Sequence, residues 1–276
     1  MLSYKKRKPL SPDTQVWHYT TLDAVIAIWR DKQMRLTRLD NFTDPFEGSV
    51  TKQDIDNQLP LFSGHNMLTM SMQQSIARSA GAKSTYRDLW GEMTKRRRAK
   101  TRSAHAICWR WGDDSEAMWR LYCSGGDNEK QLGQGLALRS SLEKLEKSVE
   151  HEDVYLSPLN YRFYHEGDAF NDKLDAFMHK RMGFIHEQEV RVLMFDIKHY
   201  HLLCAAIVDD SETPPADLPK YRFIDWSPTA CVDAIVISPY ASKEYESEAR
   251  SAIVDLDPKF PVELSVLSER RYAPQF

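Results

Sequence analysis

No run of about 18 apolar residues occurs in this chain, so no membrane-spanning helix is expected. The first ten residues are basic but carry no apolar stretch, which argues against a secretory signal. The four cysteines, Cys108, Cys123, Cys204 and Cys231, stand apart without a C-x-x-C pair. That spacing speaks against a thiolate zinc site and against a disulfide framework. Reduced thiols and a cytoplasmic location are the expectation. An excess of one charge is also missing. Lys and Arg number 37 against 40 Asp and Glu, and a net charge of −3 selects no partner by itself. There is no internal repeat and no low-complexity linker. P-loop, zincin and nucleophile-elbow motifs are absent, and Gly133-Gln134-Gly135 lacks the third glycine of a dinucleotide fingerprint. The polar loop holding Asn41, Asp44 and Glu47 lacks the alternating oxygen ligands and closing glutamate of a calcium loop, so no metal is expected there.

What is present is enough apolar residue for a sizeable core, 42% of 276 residues, with 28% charged. Strand patterns fall at 15–20, 34–39, 105–111, 135–138, 154–164, 187–196, 202–208, 231–237 and 262–267. Helix patterns fall near 84–99, 115–123, 141–149, 169–180 and 243–254. A further helix starts after Thr20 or Thr21, either of which can cap it, and carries Leu22, Val25, Ile26 and Trp29 on one face. In 187–196, apolar residues occupy both faces, which marks a central, buried strand. The mixture lacks regular βαβ alternation. It predicts an α+β fold in one domain, 1–276, with a helical insertion at about 50–100.

Four constellations could carry chemistry. In Trp17-His18-Tyr19-Thr20-Thr21, alternation sends His18 and Tyr19 to opposite faces. His18 is either a core histidine at a strand end or a ligand-holding one. In Glu187-Gln188-Glu189-Val190-Arg191, both glutamates and Arg191 share one face on a strand reading. They form either a solvated strand start with a Glu189–Arg191 pair or carboxylates at the rim of a buried sheet, where they can stabilise developing positive charge. Cys108-Trp109-Arg110 and Trp119-Arg120-Leu121-Tyr122 combine aromatics with arginine. Arg110 and Tyr122 either pack and pair or meet a phosphate and a ring. The run from Lys95 to Arg102, with Arg96, Arg97 and Arg98 at its centre, is either a solvated helix end or a contact for a phosphate backbone.

Several segments together resemble a widespread bacterial family labelled as a domain of unknown function. They are Trp17-His18-Tyr19-Thr20-Thr21, Arg35 through Gly48 with its Asn-Phe-Thr-Asp-Pro-Phe-Glu-Gly, Met118-Trp119-Arg120-Leu121-Tyr122, Gly135 through Ser140, and Phe184 through Arg191. That family resembles, more loosely, the ADP-ribosyltransferases. The resemblance implies a split mixed β-sheet core and NAD as substrate, with no metal. It implies a catalytic glutamate at Glu189 or Glu187, with Glu189 favoured by the E-x-E spacing. His18 and Thr20 would hold NAD from the first strand, Tyr122 would supply the stacking ring, and Arg38 or Arg110 would hold the pyrophosphate. It further implies an intracellular toxin of a toxin–antitoxin or antiphage system, with an antitoxin protein as partner. The basic run directs the expected acceptor toward a nucleic acid such as RNA over a protein. Two other classes remain open: a non-catalytic nucleotide- or partner-binding module, and a metal-dependent nuclease using Asp40, Asp44, Glu47 and the paired glutamates.

Overall fold

The computed structural model describes residues 10–49, 51–53, 86–123, 133–150, 152–163, 174–208 and 215–269. Of the expected helical insertion, residues 50 and 54–85 lie outside them. The chain opens with strand β1 (Gln15–Thr20) and helix α1 (Leu22–Asp31). The Thr21 hydroxyl caps α1 by accepting from the Ala24 amide at 3.4 Å. Strand β2 (Gln33–Arg38), helix α2 (Tyr86–Arg102), strand β3 (Ala104–Trp111) and helix α3 (Glu116–Tyr122) follow. Then come β4 (Leu136–Ser141), α4 (Leu142–Ser148), β5 (Tyr155–Pro158), β6 (Asn160–Arg162), β7 (His179–Arg181) and β8 (Glu189–Phe195). The last elements are α5 (Ile197–Val208), β9 (Tyr221–Asp225), α6 (Pro228–Cys231), β10 (Ala234–Ile237), α7 (Lys243–Leu256) and β11 (Val262–Leu264). The fold is α+β with a mixed sheet, as expected. Among the described residues no helix is long and apolar enough to cross a membrane.

Among the described residues, nine strands form the main sheet, in the order β11-β10-β4-β1-β3-β2-β9, with β8 on β3 and β5 on β8. Of the described pairs within it, only β10 and β11 run parallel. The sheet splits at β3. One edge of β3 pairs with β8 from Ala104 to Arg110. The other edge is shared: β1 takes Arg110 and Trp111, and β2 takes His105 and Ala106. Between those two short ladders β1 and β2 part, and the Cys108 carbonyl faces the opening.

The core explains why the strands hold this arrangement. Val190 and Val192 of β8 are fully buried in a cluster with Val16, Trp109, Leu136 and Leu138, closed by Val25 and Trp29 of α1. Across the sheet a smaller cluster joins Trp17 and Tyr19 to Met118 and Trp119 of α3. Each fully buried aliphatic or aromatic side chain contributes roughly 1.5–3 kcal/mol of transfer free energy.

Four expectations change. The helix expected over 169–180 does not extend through its described part. Asp175–Phe177 is a single 3-10 turn, and His179–Arg181 is a strand parallel to β6. Phe177 and Met178 are fully buried there, so tertiary packing overrides the local pattern. The strand expected over 202–208 is the end of α5. Asp196 starts that helix, its carboxylate accepting from the His199 amide at 2.9 Å, and a short apolar run is ambiguous between the two periods. Strand β8 begins at Glu189, not Glu187. Residues Met182–Glu187 form a 3-10 turn, and Gln188 takes a left-handed φ of 41°. Glu189 and Arg191 share a strand face; Glu187 arrives from the turn. Finally, β9 was not expected at all. It joins the sheet through β2, from Gln33↔Asp225 to Thr37↔Tyr221.

Candidate active site

A cleft of about 450 Å³ opens where β1 and β2 part. Because Trp17 pairs with Arg110, alternation puts Tyr19 on the Glu189 face of the sheet and His18 on the Trp109 face. The His18 ring lies 5.4 Å from that of Trp109. Both His18 and Glu189 nevertheless line the same cleft, since the split lets it pass between the faces.

His18 Nδ1 lies 3.0 Å from the Cys108 carbonyl oxygen, one of the backbone groups exposed by the split. Burial pushes the imidazole pKa down from 6.5, so the ring is neutral near pH 7. A carbonyl can only accept, so Nδ1 carries the proton and donates. Nε2 is then left with a lone pair to accept a bond from a hydroxyl in the cleft. Thr20, at the end of β1, also lines the cleft.

Glu189 is the centre of a buried ion network. Arg191 Nε donates to its Oε1 at 2.8 Å, and Lys180 Nζ approaches its Oε2 at 3.3 Å. Lys180 also donates to Glu187 Oε2. Arg191 Nη1 donates to Glu47 Oε1 at 2.6 Å and to the Phe177 carbonyl at 2.7 Å. All five charged side chains are buried. Three carboxylates thus share two cations. Burial alone would raise the Glu189 pKa, but Arg191 and Lys180 outweigh it and hold the carboxyl down at about 2. For Glu47 burial wins over Arg191, and its pKa is raised. Lys180 is lowered by burial, yet Glu189 and Glu187 outweigh that and raise it. The result is a carboxylate that stays ionised at neutral pH although it is buried.

Tyr122 joins from α3, its hydroxyl donating to Glu187 Oε1 at 3.1 Å. Its helical position still places it at the cleft. Burial, then Glu187, raises the phenol pKa, so it remains a donor. Tyr161 of β6 accepts from the Glu189 amide at 2.7 Å. The small sheet of β6 and β7 therefore anchors Glu189 twice, through Tyr161 and Lys180.

The remaining expected residues scatter. Arg110 lines the cleft, but its Nη2 donates to Gln188 at 2.5 Å and its Nη1 to the Asp113 carbonyl. Arg38 is not among the lining residues. Its guanidinium is paired with Asp40, at 2.7 Å, and lies near Asp217. Its neighbours Arg35 and Thr37 point into the cleft instead, as strand alternation requires. The consecutive Arg96, Arg97 and Arg98 of α2 do not form one face. Arg97 donates to the Pro45 carbonyl, Arg96 is half-buried, and only Arg98 is exposed. Successive helical residues turn by about 100°, so three in a row cannot meet one phosphate backbone together.

Two members of the network were not assigned to the site from sequence. Lys180 lies in the segment expected to be helical. Glu47 was considered only with the polar loop, as a metal ligand. In that loop Asp44 accepts from Arg181 Nη2 at 2.8 Å and Glu47 from Arg191, so both carboxylates are already paired with cations.

No family model matches the chain, and no curated protein does, so the likeness to the uncharacterised bacterial family gains no support there. Three solved structures of Thermus sp. 2.9 DarT are similar. The complex with NAD+ is 11% identical, covering 93% of this chain and 97% of that one at a TM-score of 0.38. The complex with carba-NAD+ is 10% identical, with coverage of 94% and 98% and a TM-score of 0.36. The complex with ADP-ribosylated ssDNA is 12% identical, with coverage of 95% and 98% and a TM-score of 0.37. Likeness at that level carries no argument about activity or site residues in this chain.

Proposed function

We propose that this chain is an NAD-dependent ADP-ribosyltransferase acting on a macromolecule, with a nucleic acid as acceptor. The observation that carries the reading is Glu189. It is a buried carboxylate held ionised by Arg191 and Lys180, at a cleft that also holds a neutral His18 and the Tyr122 ring. Breaking the bond between the nicotinamide nitrogen and ribose C1 leaves positive charge on the sugar. A fixed carboxylate stabilises that charge and orients a ribose hydroxyl, as in glycoside cleavage. Nicotinamide leaves with the bonding pair, the acceptor atom bonds to C1, and the acceptor's proton is released. In this reading Glu189 is catalytic, and Glu187, tied to Tyr122, is the carboxylate nearest the acceptor. His18 Nε2 accepts from a ribose hydroxyl, with Thr20 beside it, and Arg110 stands at the pyrophosphate. A role as an intracellular toxin with a cognate antitoxin belongs to the same proposal.

A metal-dependent nuclease is disfavoured by the pairing of its ligands. Asp40 is bound to Arg38, Asp44 to Arg181, Glu47 to Arg191, and Glu187 and Glu189 to Lys180. The deciding experiment incubates the purified protein with NAD labelled in its adenylate moiety and with cell extract, then separates protein from nucleic acid. The expected result is label in nucleic acid with release of nicotinamide, both lost in Glu189→Gln at a temperature where circular dichroism shows that variant folded. No nicotinamide release and no label in either fraction would overturn the proposal.

A further inference from the structure

Part of the cleft lies outside the catalytic reading. Strand register carries the sheet face of Glu189 onto β2 and β9. Arg110 stands opposite Glu189, and Ala106, on the same face of β3, stands opposite Thr37. Thr37 in turn pairs with Tyr221, and Arg35, two residues away on β2, pairs with Phe223. Alternation therefore gives Arg35, Thr37, Tyr221 and Phe223 the face of Glu189, and all four line the cleft. The same register, extended, puts Arg35 level with Cys108, two strands from β8 and two residues along from Glu189. At about 4.8 Å per strand and 3.3 Å per residue, its Cα stands roughly 12 Å or more from that of Glu189.

The cations at this end lack anionic partners. The Arg35 Cζ lies 4.8 Å from the Tyr221 centroid, and Lys220 Nζ lies 5.2 Å from the same ring. Neither side chain has an ion pair or a hydrogen bond among the described residues. Arg38, Arg110, Arg181 and Arg191 all have such partners. Phe223 is 55% exposed and has no ring contact among the described residues. Arg35 also lies within electrostatic reach of His18: burial lowers the imidazole pKa most, and the Arg35 charge adds to that against the bond to Cys108.

The two ends of the cleft are thus opposite in charge. Around Glu189 three carboxylates share two cations. Around Arg35 two cations share one ring. A matching ligand gains positive charge at one end and carries phosphate at the other. A guanidinium donates in a fork that fits phosphate, and an exposed ring takes a flat base by stacking. An acidic peptide would answer the cations and leave the ring unmatched. Arg110 lines the cleft too, yet its terminal nitrogens already donate to Gln188 and to the Asp113 carbonyl. Arg35 supplies the free donors that Arg110 lacks.

We propose that the Arg35 end of the cleft is a nucleoside diphosphate subsite, with Arg35 and Lys220 on the phosphates and Phe223 against the base. The proposal rests on the transferase reading for its purpose: the subsite holds the ADP half of the substrate while the nicotinamide riboside half lies at Glu189. Its test needs no turnover. Isothermal titration calorimetry of the full chain with ADP, and separately with adenosine, reads the subsite alone. ADP should bind more tightly than adenosine. Arg35→Gln should weaken ADP roughly tenfold or more and adenosine less than about threefold, and Arg35→Lys should restore part of the loss. Phe223→Ala should weaken both ligands roughly fivefold or more, and Phe223→Trp should restore them. Both positions are exposed, and circular dichroism at the assay temperature confirms that each variant is folded. No ADP binding by the wild-type protein, equal ADP affinity in Arg35→Gln, or equal loss of ADP and adenosine in that variant overturns the subsite. Nicotinamide release with an unchanged KM for NAD in Arg35→Gln overturns the subsite and leaves the transferase reading standing. ADP binding that Arg35→Gln abolishes, without nicotinamide release by the wild-type protein, refutes the transferase reading and leaves the subsite standing.

Discussion

Replacing Arg191 with leucine removes the cation that two buried carboxylates share. The Arg191 side chain is 0% exposed, and those of Glu47 and Glu189 are each 3% exposed. The variant loses the bonds to Glu189, to Glu47 and to the Phe177 carbonyl. Lys180 still reaches Glu189 at 3.3 Å. Breaking a buried ion pair from one side costs about 3–5 kcal/mol, because the other charge stays buried. At roughly 2–4 °C per kcal/mol for a chain of this size, the melting temperature should fall by about 6–20 °C. The Glu189 carboxyl points the same way: Arg191 and Lys180 together outweigh burial and hold it down at about 2. A depressed carboxylate stabilises the fold above its unfolded pKa, and that contribution fades as pH falls from about 4.5 toward 2. In the leucine variant both carboxyls rise, so they take up protons on folding near pH 5. The penalty should therefore be smaller at about pH 5 than at about pH 7.5. Urea denaturation of both proteins at the two pH values measures it. A penalty below about 1 kcal/mol, or one independent of pH, would refute the account of the network.

Lys180→Met removes one of the two cations that hold Glu189 ionised, which raises the affinity of that carboxylate for protons. The acid limb of nicotinamide release against pH should move upward by about one unit or more, and a limb that stays in place would exclude the role. Gly48→Ala introduces a side chain at φ +66°, with its Cβ 2.8 Å from Thr101 Cγ2. A loss of about 1–2 kcal/mol in urea is expected, together with loosening of the Glu47 turn; an unchanged midpoint contradicts the strain.

Local signals read well where the forces behind them are local. Thr21, one of the two caps expected for α1, accepts the Ala24 amide three residues on. The apolar residues on both faces of β8 require neighbours on both edges, and β3 and β5 provide them. The same reasoning went astray at 174–180, the described part of the helix expected over 169–180, where a helical pattern yields to burial of Phe177 and Met178 and to pairing with β6. It also missed β9, whose Phe223 remains 55% exposed and so presents no apolar alternation.

By itself the sequence determined the strand at 15–20, the helix after it, a central strand within 187–196, and the presence of polar groups in apolar surroundings. These follow from contacts a few residues apart. Only the tertiary structure decided what those polar groups meet. Glu47 and Arg191 are 144 residues apart, and Tyr122 and Glu187 are 65 apart. The split at β3 lets His18 and Glu189 share one cleft from opposite faces of a sheet. No periodicity encodes such pairings. They arise because buried carboxylates and cations must find one another once the surrounding apolar strands exclude water.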